Sequence, residues 1–279
     1  MVSMLGMVRG FLALGGGLAL SLAAGIASAQ TATFTDWQDS PGIVLRPLGG
    51  PVPDWDITVG GGVAALPAYE GSNSTRLMVA PDLDIRYSDV AYLSVGEGLG
   101  VNLLRGTMYR AGIGLTDDPG REHNAASRLS GTGNVDPTPV AKAFVQYAFL
   151  PVVLSIDIEQ ALTSYQGTIA DFGAYLPIVG TEKIQVFVGP EITVADSRYM
   201  QAYFGITANQ AAHSRFSVYR AGAGVKDGKF GLSAFYHFDD HWFVDATLGI
   251  ERLLGSAASS PLIQTRWGMS AASTVNYTF

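Results

Sequence analysis

The stretch WGMSAASTVNYTF, Trp267–Phe279, closes the chain with a period-two pattern and no charged side chain. Successive side chains of a β-strand point to opposite faces, and such a strand of about this length can cross a bilayer when it is tilted. Only Ser273 interrupts an otherwise apolar face, which comprises Trp267, Met269, Ala271, Val275, Tyr277 and Phe279. The stretch therefore predicts a transmembrane β-strand that ends on an aromatic residue.

The same alternation recurs from Trp55 onward. In the segment from Val152 to Glu159, apolar residues at even positions oppose Ser155, Asp157 and Glu159. Beyond the N-terminal region, no segment approaches the roughly 20 uncharged apolar residues of a membrane helix. Alternation by itself also fits a soluble β-sandwich, in which the apolar face would be the core. Export and the C-terminal aromatic favour the all-β, closed antiparallel transmembrane barrel.

Strand parity supplies a stricter test. A barrel of this class with both termini in the periplasm needs an even number of strands, short turns at the inner end and longer loops at the outer end. Two short strands, AYLSVG and LGVNLLR, placed around a turn at Gly96–Gly98, bring the count to twelve. The long segments then share the outer end: Ala64–Thr75, Thr116–Pro139, Ala195–Asp227 and Leu253–Arg266.

The N-terminus predicts export. Arg9 precedes an uncharged apolar run from Phe11 to Ala24, followed by small residues with Ala27 and Ala29 at the cleavage positions before Gln30. The run is short and rich in glycine, which argues against a membrane-spanning helix. We predict a cleaved signal peptide over 1–29, a periplasmic lead-in with four prolines over 30–54, and the barrel over 55–279. The location expected is the outer membrane of a Gram-negative bacterium, reached through the periplasm.

Composition excludes several classes of function. The chain has no cysteine, which rules out disulfides, thiolate metal sites and an N-terminal lipid anchor. Its formal charge of −7 argues against nucleic acid as a partner.

Charged residues recur on the predicted inner face. Two interpretations remain open: a lumen filled by salt-bridged side chains, or a water-filled pore that mildly prefers cations. The carboxylates are Asp56, Asp82, Asp84, Asp157, Glu159, Asp171, Glu191, Asp245 and Glu251, and the opposing charges are Arg86, Arg110, Lys142, Lys183 and Lys229.

Signs of an active site are weak. The glycine run Gly60–Ala65 lacks the following helix that a dinucleotide loop requires, and no GxSxG motif occurs. The cluster His237, Asp239, Asp240 and His241 could ligate a metal, but polar residues are also expected in a turn at that place. We predict no catalytic, cofactor-binding or metal-ligating residues and no enzymatic activity.

A series of motifs, in order along the chain, resembles the MipA/OmpV family of outer-membrane proteins. VGGGVAALPAYEGS resembles the first strand and loop of the family and contains Pro67, Tyr69, Glu70 and Gly71. LSVGEGLGVNLL and LSGTGNVDPTPVAKAF resemble its middle part. DSRYMQAYFGIT contains Tyr203, Phe204 and Gly205, AASSPLIQ contains Ser260 and Pro261, and VNYTF ends the chain with Tyr277 and Phe279.

This resemblance implies an outer-membrane barrel and, for the founding member, a scaffold that joins a lytic transglycosylase to a penicillin-binding protein. Relatives have been linked to adhesion, osmotic response and antibiotic sensitivity. No catalytic residue is implied. A terminal aromatic strand is also the feature that barrel assembly machinery recognises, so that machinery and outer-membrane lipid are the first expected partners. The alternative functions are a narrow, porin-like channel for small solutes and an adhesion or stress-response surface protein.

Overall fold

A computed structural model describes residues 52–279. The predicted signal peptide, its cleavage positions Ala27, Ala29 and Gln30, and the lead-in as far as residue 51 lie outside the described residues. Twelve strands make up the described part: β1 Trp55–Pro67, β2 Thr75–Tyr87, β3 Ala91–Ser94, β4 Gly98–Arg105, β5 Tyr109–Asp118, β6 Thr138–Phe149, β7 Val152–Ala161, β8 Thr168–Gly180, β9 Ile184–Ala195, β10 Gly224–His237, β11 Trp242–Leu253 and β12 Trp267–Thr278.

The strands form a closed barrel in which each pairs antiparallel with its sequence neighbours, and β12 pairs with β1. The predicted fold class and the count of twelve are confirmed. Short turns connect the strands at one end, which we call the turn end. The four long connections meet at the other end, the loop end, as the parity argument predicted. They run over residues 68–74, 119–137, 196–223 and 254–266, because the strands extend a few residues further than expected.

The period-two pattern separates the two sides of the wall. Outward side chains such as Val63, Ile156 and Leu248 are exposed, whereas inward ones such as Gln146, Thr193 and Asn276 are buried. In a barrel the outward apolar surface faces lipid and the inward polar surface fills the lumen. No helix in the described part of the chain has the length and apolar character needed to cross a membrane.

Two details differ from expectation. Lys183 lies exposed in the turn between β8 and β9 and does not join the inner face, so that prediction is wrong. The loop at residues 196–223 contains two short helices that were not predicted, α1 (Ser197–Phe204) and α2 (Ala208–His213). The Asp196 side chain caps α1 by accepting the Tyr199 N–H, and Thr207 with Gln210 forms a capping box on α2.

The closing strand completes the barrel wall by pairing with β1. The Phe279 N–H donates to the Ile57 carbonyl at 3.0 Å, so the last residue extends the β12–β1 seam. The rings of Tyr277 and Phe279 contact each other with centroids 4.9 Å apart. Interfacial aromatics of this kind mark the edge of the apolar belt in membrane barrels.

Candidate functional site

The inner face holds its charges in ion pairs. Glu97, in the short turn between β3 and β4, accepts from Arg86 at 2.5 Å and from Arg110 at 2.7 Å. All three side chains are buried. The Arg86 guanidinium lies over the Tyr92 ring, and that of Arg110 lies over the Phe144 ring. Arginine stacks on aromatic faces while it bonds a carboxylate, so this group fills its part of the lumen without stranding a charge.

Two lysines form further ion pairs around the inner face of the barrel. Lys142 on β6 lies 3.3 Å from an Asp157 oxygen and 4.0 Å from one of Glu159. Lys229 on β10 lies 2.7 Å from Glu191 and 3.6 Å from Asp171. Of the two interpretations left open by the sequence, this pairing supports a lumen filled by ion-paired side chains at these levels.

A third lysine forms ion pairs that connect the inner face with the loop end. The Lys226 ammonium is 2.5 Å from Glu70 and 2.5 Å from Asp227, and 3.8 Å from Glu251. A β-bulge between Val225 and Asp227 shifts the register of β10 against β9. A bulge adds one residue and breaks the alternation, so Lys226 and Asp227 are both buried although they are adjacent in sequence.

The carboxylates of Glu70, Asp227 and Glu251 lie within 4.8 Å of one another, a spacing that could hold a metal ion. The Lys226 ammonium already stands among them and supplies the positive charge. The ammonium group is sufficient to explain why three carboxylates lie so close together, and we assign no metal to this cluster.

The four long connections pack together as a cap over the loop end. We call residues 68–74, 119–137, 196–223 and 254–266 the loop cap. Its apolar centre includes Tyr199, Met200 and Phe204 of α1, packed against Leu253 and Ala257. A second cluster joins Tyr69, Leu129, Ile206 and Leu262, one from each connection. Helix α1 therefore covers the mouth of the barrel with its apolar face inward.

The family-motif positions, scattered in sequence, converge in this cap. The Ser260 hydroxyl donates to the Phe204 carbonyl at 2.6 Å, and the Tyr69 hydroxyl donates to the Leu262 carbonyl at 3.0 Å. Arg128 of the second connection donates to the carbonyl of Pro261 at 2.6 Å. Three of the resembling segments thus meet in one hydrogen-bonded unit.

The first motif also anchors the cap to the wall and to the interior. Pro67 ends β1 opposite Thr75, and Glu70 bonds Lys226 as described above. Gly71 has φ of +83°, and a Cβ there would lie 2.4 Å from the Ile263 side chain. Its carbonyl accepts the Gln264 N–H at 2.6 Å. Any other residue would be strained in backbone and space at this position.

The segment DSRYMQAYFGIT, residues 196–207, contacts a carboxylate of β5. The Tyr203 hydroxyl donates to Asp118 at 2.6 Å, and the Tyr165 hydroxyl donates to the same carboxylate. Burial, and then the Asp118 charge, raise the pKa of Tyr203 well above its usual value. The pKa values of Tyr165 and Tyr199 are raised as well, first by burial. Gly205 ends α1, where a Cβ would meet the Gln201 side chain at 1.9 Å.

Alkaline pH is expected to loosen the loop cap. The folded cap holds these three tyrosines neutral, whereas the same phenols ionise near pH 10 once they reach water. Stability of the cap is therefore fully present below about pH 10 and falls as pH rises beyond it. Protease cleavage within residues 196–223 should accelerate above that pH, and the Tyr203→Phe variant should show a shallower dependence. The lipid-facing Tyr147→Phe is the control. Cleavage that does not change between pH 8 and pH 12 would contradict this account.

Other sequence candidates stay apart from the cap. Gly60–Ala65 lie within β1, where Gly62 backs onto the β12 backbone. Asp239 accepts the N–H groups of His241 and Trp242, so it shapes the β10–β11 turn. His241 bonds the Thr278 carbonyl at 2.9 Å, and His237 contacts the Phe243 ring. These residues shape the turn end.

Sequence reasoning missed four members of the site: Glu97, Arg121, Arg128 and Lys226. Glu97 lies in a turn, and turn residues are ordinarily solvated. Lys226 falls within the long loop Ala195–Asp227 that strand parity predicts, and the bulge beside it breaks the alternation that would show its direction. Arg121 and Arg128 occupy a connection without periodicity, and Arg121 donates to the Tyr203 carbonyl. A pattern of period two carries no signal for such positions.

A closed barrel with an apolar outer surface and a polar inner face is characteristic of membrane-spanning β-barrels. The fold described above, with its ion-paired lumen and capped loop end, belongs to this class. The chain belongs to the family described as MltA-interacting protein MipA, whose family model matches residues 59–279.

Solved structures similar to the chain are also barrels. They include the N-terminal barrel domain of Pseudomonas aeruginosa OprF, at 14% identity and a TM-score of 0.26, covering 51% of this chain and 88% of that chain. A loop-deletion mutant of the outer membrane protein OmpT of Vibrio cholerae has 9% identity, a TM-score of 0.35 and coverage of 81% and 98%. The NanC porin has 8% identity, a TM-score of 0.37 and coverage of 80% and 98%. No curated protein matched.

Proposed function

We propose that the protein is a non-enzymatic outer-membrane barrel that acts as a scaffold for cell-wall remodelling enzymes. The family is described by its interaction with MltA, a lytic transglycosylase. A penicillin-binding protein is the second partner that the family resemblance implies. The closed interior supports partner binding over transport as the function of the molecule.

The observation that carries this proposal is the closure of the lumen. Arg86, Glu97 and Arg110 are each about 3% exposed, and the loop cap lies over the same interior. A conducting barrel needs a continuous wet path lined by accessible polar groups. The surfaces at the two ends are therefore the parts available for function.

In this proposal the periplasmic enzyme binds at the turn end of the barrel. The turns there contain only two to four residues, for example 150–151 and 238–241, and each offers little contact area. A stable protein interface buries on the order of 800 Å² on each partner. The lead-in, 30–54, is thus the segment proposed to supply most of the contact with a periplasmic enzyme.

The test is capture of a purified lytic transglycosylase of the MltA type by the full mature barrel in detergent. We expect saturable binding that is lost when residues 30–51 are deleted. The matched control is a barrel in which the same segment is replaced by a glycine–serine linker of equal length. Binding that survives both changes would place the contact on the turns, and no binding by the intact protein would remove the scaffold role.

A narrow channel for small solutes is the rival function. It requires that the paired charges line a gap and do not fill it. Planar-bilayer conductance of the intact protein is expected to stay at background. Stepwise, cation-selective conductance would favour the channel and contradict the scaffold proposal.

Outer-membrane assembly should depend on the last residue. Removing Phe279 deletes the N–H bond to Ile57 and the exposed terminal ring. We expect the intact protein from the outer-membrane fraction to shift in gel migration on heating, because folded barrels resist detergent until heated. The truncated chain should lose most of that shift, whereas Phe149→Ala, a change of another exposed ring, should keep it. Equal shifts in all three would show that the terminal aromatic is dispensable.

A further inference from the structure

The wall of the barrel has an unpaired edge at the loop end. Strand β3 has four residues, so on its β2 side it reaches only Asp84–Tyr87 of that strand. From Thr75 to Pro81, β2 pairs with β1 on one side, and no described strand pairs with its other side. Across the gap, β5 loses its β4 partner beyond Leu115.

The direction of the backbone groups at this edge follows from one hydrogen bond. The Leu83 carbonyl accepts the Val95 N–H at 2.9 Å, so the polar backbone groups of Leu83 face the β3 side. With a period of two, the same holds for Pro81, Val79, Leu77 and Thr75. We call these four residues the β2 edge. Among the described residues, the β2 edge makes no backbone hydrogen bond on that side.

Nothing in the described chain covers this edge from outside. Leu77 is 81% exposed and Val79 is 75% exposed, the two highest values among the exposed large apolar residues. The edge therefore faces outward.

Backbone groups without a hydrogen-bond partner are costly where lipid replaces water. Lipid chains can cover Leu77 and Val79, but they cannot bond an N–H or a carbonyl. An extended peptide can do both, because its own groups repeat at the same spacing. Asp117, exposed on the facing end of β5, adds a negative charge to the far side of the gap.

We propose that the β2 edge is a strand-addition site for an extended segment of a partner protein, with alternating apolar side chains and a basic residue that meets Asp117. The partner strand pairs with Leu77 and Val79 and ends near Pro81, which has no N–H to donate. Its apolar side chains continue the lipid-facing surface of the wall. This site is at the opposite end from the proposed scaffold surface and does not depend on it.

The test uses an eight-residue peptide of alternating valine and threonine with a lysine at each end, added to the full barrel in detergent. We expect the amide resonances of Leu77 and Val79 to shift saturably, with cross-strand contacts between backbone protons. Val79→Pro removes the free N–H while leaving the β1 ladder intact, and it should weaken binding about tenfold. Val79→Ala keeps the N–H and should bind within about twofold.

Further outcomes distinguish a partner peptide from lipid and from a second copy of the chain at the β2 edge. If Val79→Pro shows no heat-dependent gel shift, that variant has not folded, and Leu77→Pro is used in its place. Asp117→Asn should weaken the lysine peptide and leave a peptide with threonine ends unaffected. Equal binding by Val79→Pro and Val79→Ala, shifts at the β2 edge caused only by lipid, or a dimer paired through two β2 edges would each overturn the proposal.

Discussion

Replacing Lys226 with methionine is expected to lower the free energy of unfolding by about 3–5 kcal/mol. The lysine is about 1% exposed and its ammonium contacts Glu70 and Asp227 at 2.5 Å each. Methionine fills a similar volume but leaves these carboxylates buried without their cation. Because Glu70 belongs to the loop cap, the cap should detach from β10 before the strands separate. Urea unfolding in detergent, followed by gel shift, measures the first effect, and proteolysis of residues 68–74 measures the second.

The control is Lys183→Met, which removes an exposed lysine of the β8–β9 turn and should change stability by less than about 0.5 kcal/mol. A double variant sharpens the comparison. Adding Glu70→Gln to Lys226→Met removes one of the stranded charges and should recover part of the loss. If Lys226→Met is no less stable than its control, the ion pair does not hold the cap to the wall.

The second large effect is expected at Glu97. Glu97→Gln keeps the size of the side chain but removes the charge that bonds Arg86 at 2.5 Å and Arg110 at 2.7 Å. Its amide N–H₂ would then face guanidinium donors, and the loss should again be about 3–5 kcal/mol. Arg86 retains Asp84 at 2.8 Å, which limits the damage to the centre of the group. Unfolding in urea is the measurement.

Glu182→Gln, in an exposed turn, is the matched control for Glu97→Gln. Raising the salt concentration separates the two sites further, because buried pairs are screened far less than exposed ones. The deficit of Glu97→Gln should persist at 1 M salt. A deficit that disappears with salt would mean that water reaches this part of the lumen, and it would reopen the channel interpretation.

The two predictions concern different regions of one interior. Glu97 holds the β3–β4 turn against β2 and β5, whereas Lys226 holds the loop cap against β10 and β11. Their effects should be additive, since they share no partner. Both depend on burial, which the same side chains would lack in a wide, wet barrel.

The sequence by itself determined the fold class, the strand count and the side of each strand that faces lipid. Period two is a local property: Trp267, Met269 and Phe279 share a face whatever the rest of the chain does. Parity then fixed which connections share an end, because a closed antiparallel barrel admits only one arrangement. The motif residues Tyr69, Tyr203 and Ser260 could also be recognised from sequence, although not what they contact.

Only the tertiary structure decided which charges pair and what closes the loop end. Lys226 meets Glu70 across 156 positions of sequence, and the bulge beside it reverses the face that alternation predicts. Phe204 meets Ser260 because four irregular connections share one mouth, and irregular segments carry no periodic signal. The same holds for the β2 edge, since a missing partner depends on where a neighbouring strand stops and not on the residues of β2.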